Sequence, residues 1–532
     1  MGASFESPVH AEVAAADHSL AAAGHGQAAP SSSKHHGLLL LPPPSDDPKD
    51  PLRWPQWLKV AALLSTALAN FTANFAGAGL SVASQVLAMQ FQRSSNDING
   101  LLSFNLLFLG VGNLVWVPLA VKFGKRFVLL TSMAMHFAVL IWAAKATSYE
   151  SLLAARCLSG LAGGAGESLV PGIVSDIFFL HERAAMMAGY TIFASGATAV
   201  GPLLASVMLQ YSPGGYVDFI WLSTALSGFN VLVMFLFFPD STYRRPDDAH
   251  TPTALPDSAG SEKAEAEDIE RASEIAQSAG AQESYVLPKK MTTVWTSFFA
   301  VDHTVSLFKV FLRPLVLLLC PEVLFATLLY GIALAAQIIL IFAFPSLLLA
   351  PPYLFTPLQV GLIQIAAVIG FVLACFTGGY LADVITARMI RRQGRVVPEQ
   401  RLVSIIPGCF IAPVGCIIVA IACSRQLSWV AIAFGFGMVS FGSVYAPNIA
   451  ITYVVESRPK QASEAIVAIN VFKNLVSFLF VYEAVTWVAA RGWLEVYMII
   501  FMLVTLSMVL AIPFYFFGSR LRAMSAWLER FL

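Results

Sequence analysis

The chain has 532 residues, of which 57% are hydrophobic and only 12% are charged. Its 32 basic side chains balance its 32 acidic ones, and no basic face suggests a nucleic-acid partner. All six cysteines lie inside apolar segments, so neither a disulfide framework nor a metal site is expected. Many uncharged runs of about 20 residues, the length that crosses a bilayer, exclude an ordinary soluble domain and predict a polytopic membrane protein.

The first 50 residues predict a disordered cytoplasmic tail. They are rich in Ala, Ser, Gly, His and Pro and lack the apolar content of a folded core. They also lack the positive start, apolar run and cleavage site of a secretory signal, so the first span must direct insertion. Just before that span, Trp54 and Trp57 are expected at the membrane interface.

Twelve membrane-spanning helices are predicted next, in two halves of six that cover residues 51–238 and 316–518. The spans are 59–82, 98–121, 126–147, 152–176, 183–210, 217–238, 316–346, 357–386, 402–424, 428–455, 463–489 and 493–518. The predicted fold class is therefore an all-α polytopic membrane protein with twelve transmembrane helices.

A long loop at residues 239–315 separates the halves. Its polar part, 246–290, is predicted to be a flexible linker. Residues 295–311 combine apolar and polar side chains in the pattern of an amphipathic helix that lies on the membrane surface. Most lysines and arginines fall in the tails and in the loops that would share a side with them. By the positive-inside rule, both termini, including the predicted tail 519–532, are cytoplasmic.

The fourth span contains two charges, Arg156 and Glu167, which lie about three helical turns apart and share one face. Charges inside a membrane usually face a bundle interior or a wet path, because each costs about 2.5–3.5 kcal/mol near the centre of a span. Glu167 follows a run of small residues near mid-span and is the leading candidate for a proton carrier. Arg156 lies nearer the outer end, where it either pairs with Glu167 or another polar group or extends outward.

The second half offers two further candidates for the proton and substrate path. Lys473 lies near the middle of its span, and it is expected to attract an anion, repel cations or pair with an acid such as Glu167 or Glu322. Glu322, in the inner half of the seventh span, is a candidate cation or proton site. Uncharged polar and aromatic residues that could line a cavity are Asn70, Asn74, Asn105, Asn230, Gln337, Gln364, Asn448, Asn470, Phe104, Phe193, Phe344, Tyr330, Tyr445 and Tyr482.

Charged helix ends on the cytoplasmic side suggest gates. Asp383 with the following Arg388 can latch the inner side of the second half through charge pairs, and Asp176 with Arg183 can do the same in the first half. Pro202 removes a backbone hydrogen bond from the fifth span and is expected to bend that helix.

Several motifs resemble the major facilitator superfamily. They are the loop GNLVWVPLAVKFGKR (112–126), its counterpart GGYLADVITARMIRR (378–392), the fourth-span RCLSGLAGG (156–164) and Gly201-Pro202, which is similar to the core of an antiporter motif. Val121 departs from the pattern, since an aspartate usually stands there. The resemblance covers roughly residues 47–518 and implies a secondary transporter that works by alternating access.

Finer motifs are similar to the fungal twelve-span drug, polyamine and secondary-metabolite transporters, among them SDIFFLHER (175–183) and FPDSTYRRP (238–246). This resemblance implies proton-coupled efflux of a small organic solute by a monomer in the plasma membrane, without a cofactor. Import of polyamines or other organic cations is the alternative, and Lys473 counts against it unless an acid neutralises it. A transport-inactive sensor is a further alternative, prompted by Val121 and by the altered motif around Gly201. An enzyme is not expected, because no nucleophile with its base, phosphate loop or metal cluster is present.

Overall fold

A computed structural model describes residues 50–242, 306–393, 398–458 and 461–528. Within these ranges the chain forms helices and no strand. The sixteen described α-helices are α1 (Gln56–Gly79), α2 (Ser84–Phe91), α3 (Ser95–Phe123), α4 (Lys125–Ala144), α5 (Tyr149–Ile177), α6 (Leu180–Tyr211), α7 (Tyr216–Phe237), α8 (Leu307–Leu317), α9 (Pro321–Leu348), α10 (Pro357–Leu362), α11 (Gln364–Gln393), α12 (Ile406–Ser424), α13 (Trp429–Ser457), α14 (Ala462–Tyr482), α15 (Ala484–Val509) and α16 (Ala511–Leu528).

The described helices include twelve that are long and apolar enough to cross a membrane, six in residues 50–242 and six in residues 306–528. The predicted fold class is therefore confirmed. Most of the first tail, the polar linker 246–290 and most of the predicted surface helix 295–311 lie outside the described residues. The described end of that last segment lies in α8. In this helix the side chain of Phe308 is exposed and that of Arg313 is half-buried.

Some helix boundaries differ from the predicted ones. The eleventh span ends at Tyr482 rather than at residue 489, and a new helix begins at Ala484. That helix turns sharply at Gly492, whose φ of 80° suits glycine because it has no Cβ. Helix α16 continues through residues 519–528, where only a tail was predicted, and its Ser525 is fully buried. Trp57 is exposed as an interfacial residue would be, whereas Trp54 is buried against the first half.

Several helix pairs join the halves, and the most extensive contacts are those of α3 with α14 and of α6 with α11. We call the side where α7 ends and α9 begins the linker side, and the opposite side the far side. On the far side, the Asn99 amide donates to the carbonyl oxygens of Val481 at 2.8 Å and Tyr482 at 2.7 Å. Rings of Phe104 and Phe478, with centroids 5.6 Å apart, pack just below. Polar and aromatic contacts therefore hold the halves together on the far side.

Glycines allow the first-half helices to approach closely. A Cβ added to Gly160 on α5 would lie 2.2 Å from the carbonyl oxygen of Asn105 on α3. A Cβ added to Gly201 on α6 would lie 2.5 Å from the carbonyl oxygen of Phe75 on α1. Close backbone approach of this kind is how helices pack in lipid, where no hydrophobic force draws them together. The small residues of α5 thus bring its face, including Glu167, directly against α3.

Candidate functional site

The central feature of the site is a buried ion pair between the two halves. Glu167 lies near the middle of α5, and Lys473 lies near the middle of α14. The Lys473 Nζ is 2.5 Å from Glu167 Oε1, and the two side chains are 5% and 11% exposed. Two charges this deep in an apolar bundle are stable only when they neutralise each other. The pair therefore ties the first half to the second near mid-membrane.

Amide side chains hold the second oxygen of the Glu167 carboxylate. Asn113 on α3 donates to Oε2 at 2.7 Å, and Asn474 on α14 donates to the same atom at 2.9 Å. Among the described residues, the polar contacts of this carboxylate are thus with donors. An ionised carboxylate only accepts hydrogen bonds, so the arrangement fits the deprotonated form of Glu167.

Further polar and aromatic groups surround the pair. The Lys473 Nζ lies 4.2 Å from the centre of the Tyr330 ring, a cation–π contact. The Tyr190 hydroxyl and the Asn470 amide both donate to the backbone oxygen of Glu167 at 3.4 Å. Asn70 on α1 in turn donates to the Tyr190 hydroxyl at 2.8 Å. The polar region around Glu167 therefore extends through α1, α6, α9 and α14.

Arg156 does not pair with Glu167, and it does not extend outward. It is 2% exposed, and its guanidinium donates to three backbone oxygens. These belong to Ala76 at 2.8 Å and Gly77 at 2.5 Å on α1, and to Leu101 at 3.3 Å on α3. Carbonyls in the last turn of a helix lack intrahelical partners and carry partial negative charge, which suits a cation. In this conformation the polar groups that Arg156 contacts are therefore backbone carbonyls, and Arg156 caps the end of α1.

Glu322 lies away from the central pair, in the first turn of α9 on the linker side. Its Oε1 accepts from Arg458 Nε at 2.6 Å, and its Oε2 accepts from the Ser525 hydroxyl at 2.7 Å. Both members of the ion pair are almost fully buried. The contacts of Glu322 therefore join α9, α13 and α16 within the second half, and they do not reach Lys473.

The predicted gate residues of the first half contact neighbouring elements of that half. Lys125 at the start of α4 forms an ion pair with Asp176 near the end of α5. Arg183 donates to the backbone oxygens of Phe178 at 3.0 Å and Ser175 at 2.7 Å. These contacts fix the linker-side end of α5 to its neighbours.

The remaining gate residues lie on α11 and α6. Asp383 and Arg388 both lie towards the linker-side end of α11; Arg388 is exposed, and the side chain of Asp383 lies outside the described residues. Helix α6 continues through Pro202, so the proline does not end it.

The sequence interpretation missed three residues of the site. Asn113, Asn474 and Tyr190 were not among the candidate cavity residues, although each places a polar group inside an apolar span. A polar residue at such a position is itself a signal. Asn474 also follows Lys473 directly in the chain.

Taken together, the structure defines a helical membrane protein of two six-helix halves with a charged pair buried between them. The family model described as "Major Facilitator Superfamily" matches residues 66–481, and the chain belongs to this superfamily of membrane transporters. The expectations that the protein is a transporter of this superfamily and not an enzyme are confirmed.

Fungal transporters are among the relatives. An uncharacterized MFS-type transporter of Schizosaccharomyces pombe is 24% identical, with 90% of this chain and 87% of that protein covered. The probable drug/proton antiporter YHK8 of Saccharomyces cerevisiae is 24% identical, over 79% of this chain and 76% of that protein. The cercosporin MFS transporter of Cercospora nicotianae is 26% identical, over 91% of this chain and 88% of that protein.

A solved structure has the same fold. The human organic anion transporter MFSD10 (TETRAN) superposes with a TM-score of 0.52 at 14% identity, covering 86% of this chain and all of that one. At this identity the likeness extends to the fold.

Proposed function

We propose that the chain exports a secondary metabolite or xenobiotic in exchange for protons, with Glu167 as the proton carrier. The observation that supports this proposal is the ion pair between Glu167 and Lys473, because it joins the two halves near the centre of the bundle. Alternating access requires the halves to rock against each other around a central site. Glu167 helps to hold the halves together at this point, and a proton can neutralise it. Its protonation therefore couples the rocking of the halves to the proton gradient.

The coupling step follows from the charges. With Glu167 ionised, the pair is neutral and its carboxylate accepts from three donors. A proton on Glu167 removes the negative charge, and the attraction to Lys473 is lost. The halves can then separate at this point, and solute groups can take the place of the broken contacts. Two relatives support the choice of solute class and coupling by their names, one a probable drug/proton antiporter and the other a cercosporin transporter.

The membrane, the oligomeric state and the orientation of the transporter are part of the same proposal. We propose that it is a monomer in the plasma membrane. Both termini lie in the cytoplasm in this proposal, because lysine and arginine concentrate in the loops on the side of the termini. The linker side is then cytoplasmic, and the contacts of Asn99 close the extracellular side. Asp383, Arg388, Asp176, Arg183, Gly201 and Pro202 remain proposed elements of gating and bending.

One observation favours the alternative of organic-cation import. A lysine in the path argues against a cationic solute only while its charge is uncompensated. The Lys473 charge is neutralised by Glu167, so that objection no longer applies. A transport measurement then decides between export and import and identifies the substrate.

The proposal is tested by growth of an exporter-deficient yeast that expresses the chain, across lipophilic toxins and toxic polyamine analogues. Export predicts resistance that Glu167→Gln abolishes at equal surface expression. The matched control is Glu483→Gln, because Glu483 is an exposed acid at the end of α14. Sensitisation to polyamine analogues would support import instead. Resistance that persists in Glu167→Gln would exclude Glu167 as the proton carrier, and absence of any saturable flux would support the sensor.

A further inference from the structure

The ammonium group of Lys473 occupies a small site built by other helices. On one side it contacts the Glu167 carboxylate of α5 at 2.5 Å, and on the other it faces the Tyr330 ring of α9 at 4.2 Å. The carboxylate is itself fixed, because Asn113 and Asn474 both hold its second oxygen. A fixed carboxylate opposite an aromatic face is the chemistry that recognises an alkylammonium ion.

We propose that Lys473 is a tethered occupant of a cation site, and that the transported solute carries a protonated amine which replaces the Lys473 ammonium. This inference rests on the proposed transport function and names the solute class for it. The binding site lies between the halves and is open to a cation in either direction of transport, whereas the proton exchange below is written for export. Glu167 and Tyr330 bind the solute amine, and Lys473 competes with it.

Charge balance links the exchange to a proton. The occupied site is neutral, with one carboxylate and one ammonium. A solute ammonium that enters while Lys473 stays charged would leave a net positive charge buried, which is costly. Lys473 therefore loses one proton from Nζ to water as the solute binds, and its amine becomes neutral. Buried lysines without a counterion give up a proton readily, whereas an arginine does not.

The return step uses the same atoms. A proton that reaches Glu167 neutralises the carboxylate and releases the solute ammonium. Transfer of that proton to the neutral Lys473 amine re-forms the ion pair, so that one proton enters for each cation that leaves. The other titratable groups that face the pair among the described residues are the hydroxyls of Tyr330 on α9 and Tyr190 on α6; α3 and α14 contribute amides.

The test measures binding to the purified full chain in lipid nanodiscs, without transport. The probes share one skeleton and differ in charge: 2-phenylethylammonium, 2-phenylethanol and phenylacetate. We expect the ammonium to bind at least about tenfold more tightly than the alcohol, a difference of about 1.4 kcal/mol, and phenylacetate not to bind. A pH indicator in weak buffer should report about one proton released per ammonium bound.

Two variants of Lys473 test whether its ammonium group competes with the solute amine. Lys473→Met removes the tethered competitor, and by the same charge balance Glu167 is then protonated in the empty site, so the ammonium should still bind, should displace one proton from Glu167 and should bind about tenfold more tightly than to the wild type at high pH. Lys473→Arg keeps the charge that neutralises Glu167, so it should fold, but it should not bind the ammonium because arginine keeps its proton. The arginine variant keeps the test valid if the methionine variant fails to fold.

The inference is overturned if phenylacetate binds better than the ammonium, if the alcohol binds equally well, or if the ammonium binds to the wild type without proton release. Any of these results leaves the proposed function standing, since resistance in yeast is measured independently. If no condition gave resistance while the ammonium still bound, the proposed transport function would be excluded and the cation site would remain supported.

Discussion

The guanidinium of Arg156 donates from Nη1 to the carbonyl oxygen of Ala76 at 2.8 Å, so a charged side chain of α5 caps the last turn of α1. A second bond to Gly77 strengthens this cap. Because the side chain is buried and contacts carbonyls, the structure assigns Arg156 to the packing of the first half. Its distance from Glu167 along α5, about 16 Å at 1.5 Å per residue, separates it from the central pair.

Arg156→Met should therefore destabilise the protein by about 3 kcal/mol, because hydrogen bonds from a charged donor are lost and buried carbonyls are left unpaired. Unfolding of the purified protein by denaturant measures this change. The control is Arg93→Met, since Arg93 pairs with Glu150 on the surface and should contribute at most about 1 kcal/mol. An Arg156→Met protein of normal stability that no longer transports would show a direct role of Arg156 in the path.

Glu322→Gln should also act on stability rather than on coupling. It removes the negative charge of Glu322 from its buried ion pair with Arg458, and breaking a buried pair costs about 3–5 kcal/mol. Transport per folded molecule, and its dependence on the pH gradient, should stay unchanged. The experiment compares unfolding with flux in proteoliposomes. Loss of proton coupling in a stable Glu322→Gln protein would place Glu322 on the path, as the sequence suggested.

Asn99→Ala should loosen the far side. The Asn99 amide holds the carbonyl oxygens of Val481 and Tyr482 across the two halves, and alanine removes both bonds. Spin labels at the exposed positions Met89 and Leu427, in a background without the native cysteines, should then show a population at longer distances.

The control for this measurement is a pair of labels within the first half, at Met89 and Tyr211, whose distance should not change. If the Met89–Leu427 distances are the same in Asn99→Ala and in the parent protein, the amide does not hold the far side closed.

The sequence predicts the twelve spans because long apolar runs depend only on local composition. The break at Glu483 was missed because residues 484–489 are apolar and helical, whereas the predicted start of the twelfth span at residue 493 lies directly after the turn at Gly492. Boundaries of this kind depend on tertiary packing.

The central pair shows a different limit. Both Glu167 and Lys473 stand out in the sequence as charges inside spans. Their partnership does not, because 306 residues separate them and Glu322 was an equally available acid. The contact of Arg156 with the end of α1 could not be predicted either. Every residue has a backbone carbonyl, so the sequence does not show which carbonyls a side chain contacts.

The most direct test of the central claim is proton movement in proteoliposomes that contain a pH-sensitive dye, driven by a gradient of the solute that the growth panel identifies. Wild-type protein should move protons opposite to the solute, and Glu167→Gln should move none at equal reconstitution, while Glu483→Gln behaves as the wild type. Proton movement of wild-type size in Glu167→Gln would contradict the claim that the Glu167–Lys473 pair couples transport to protons.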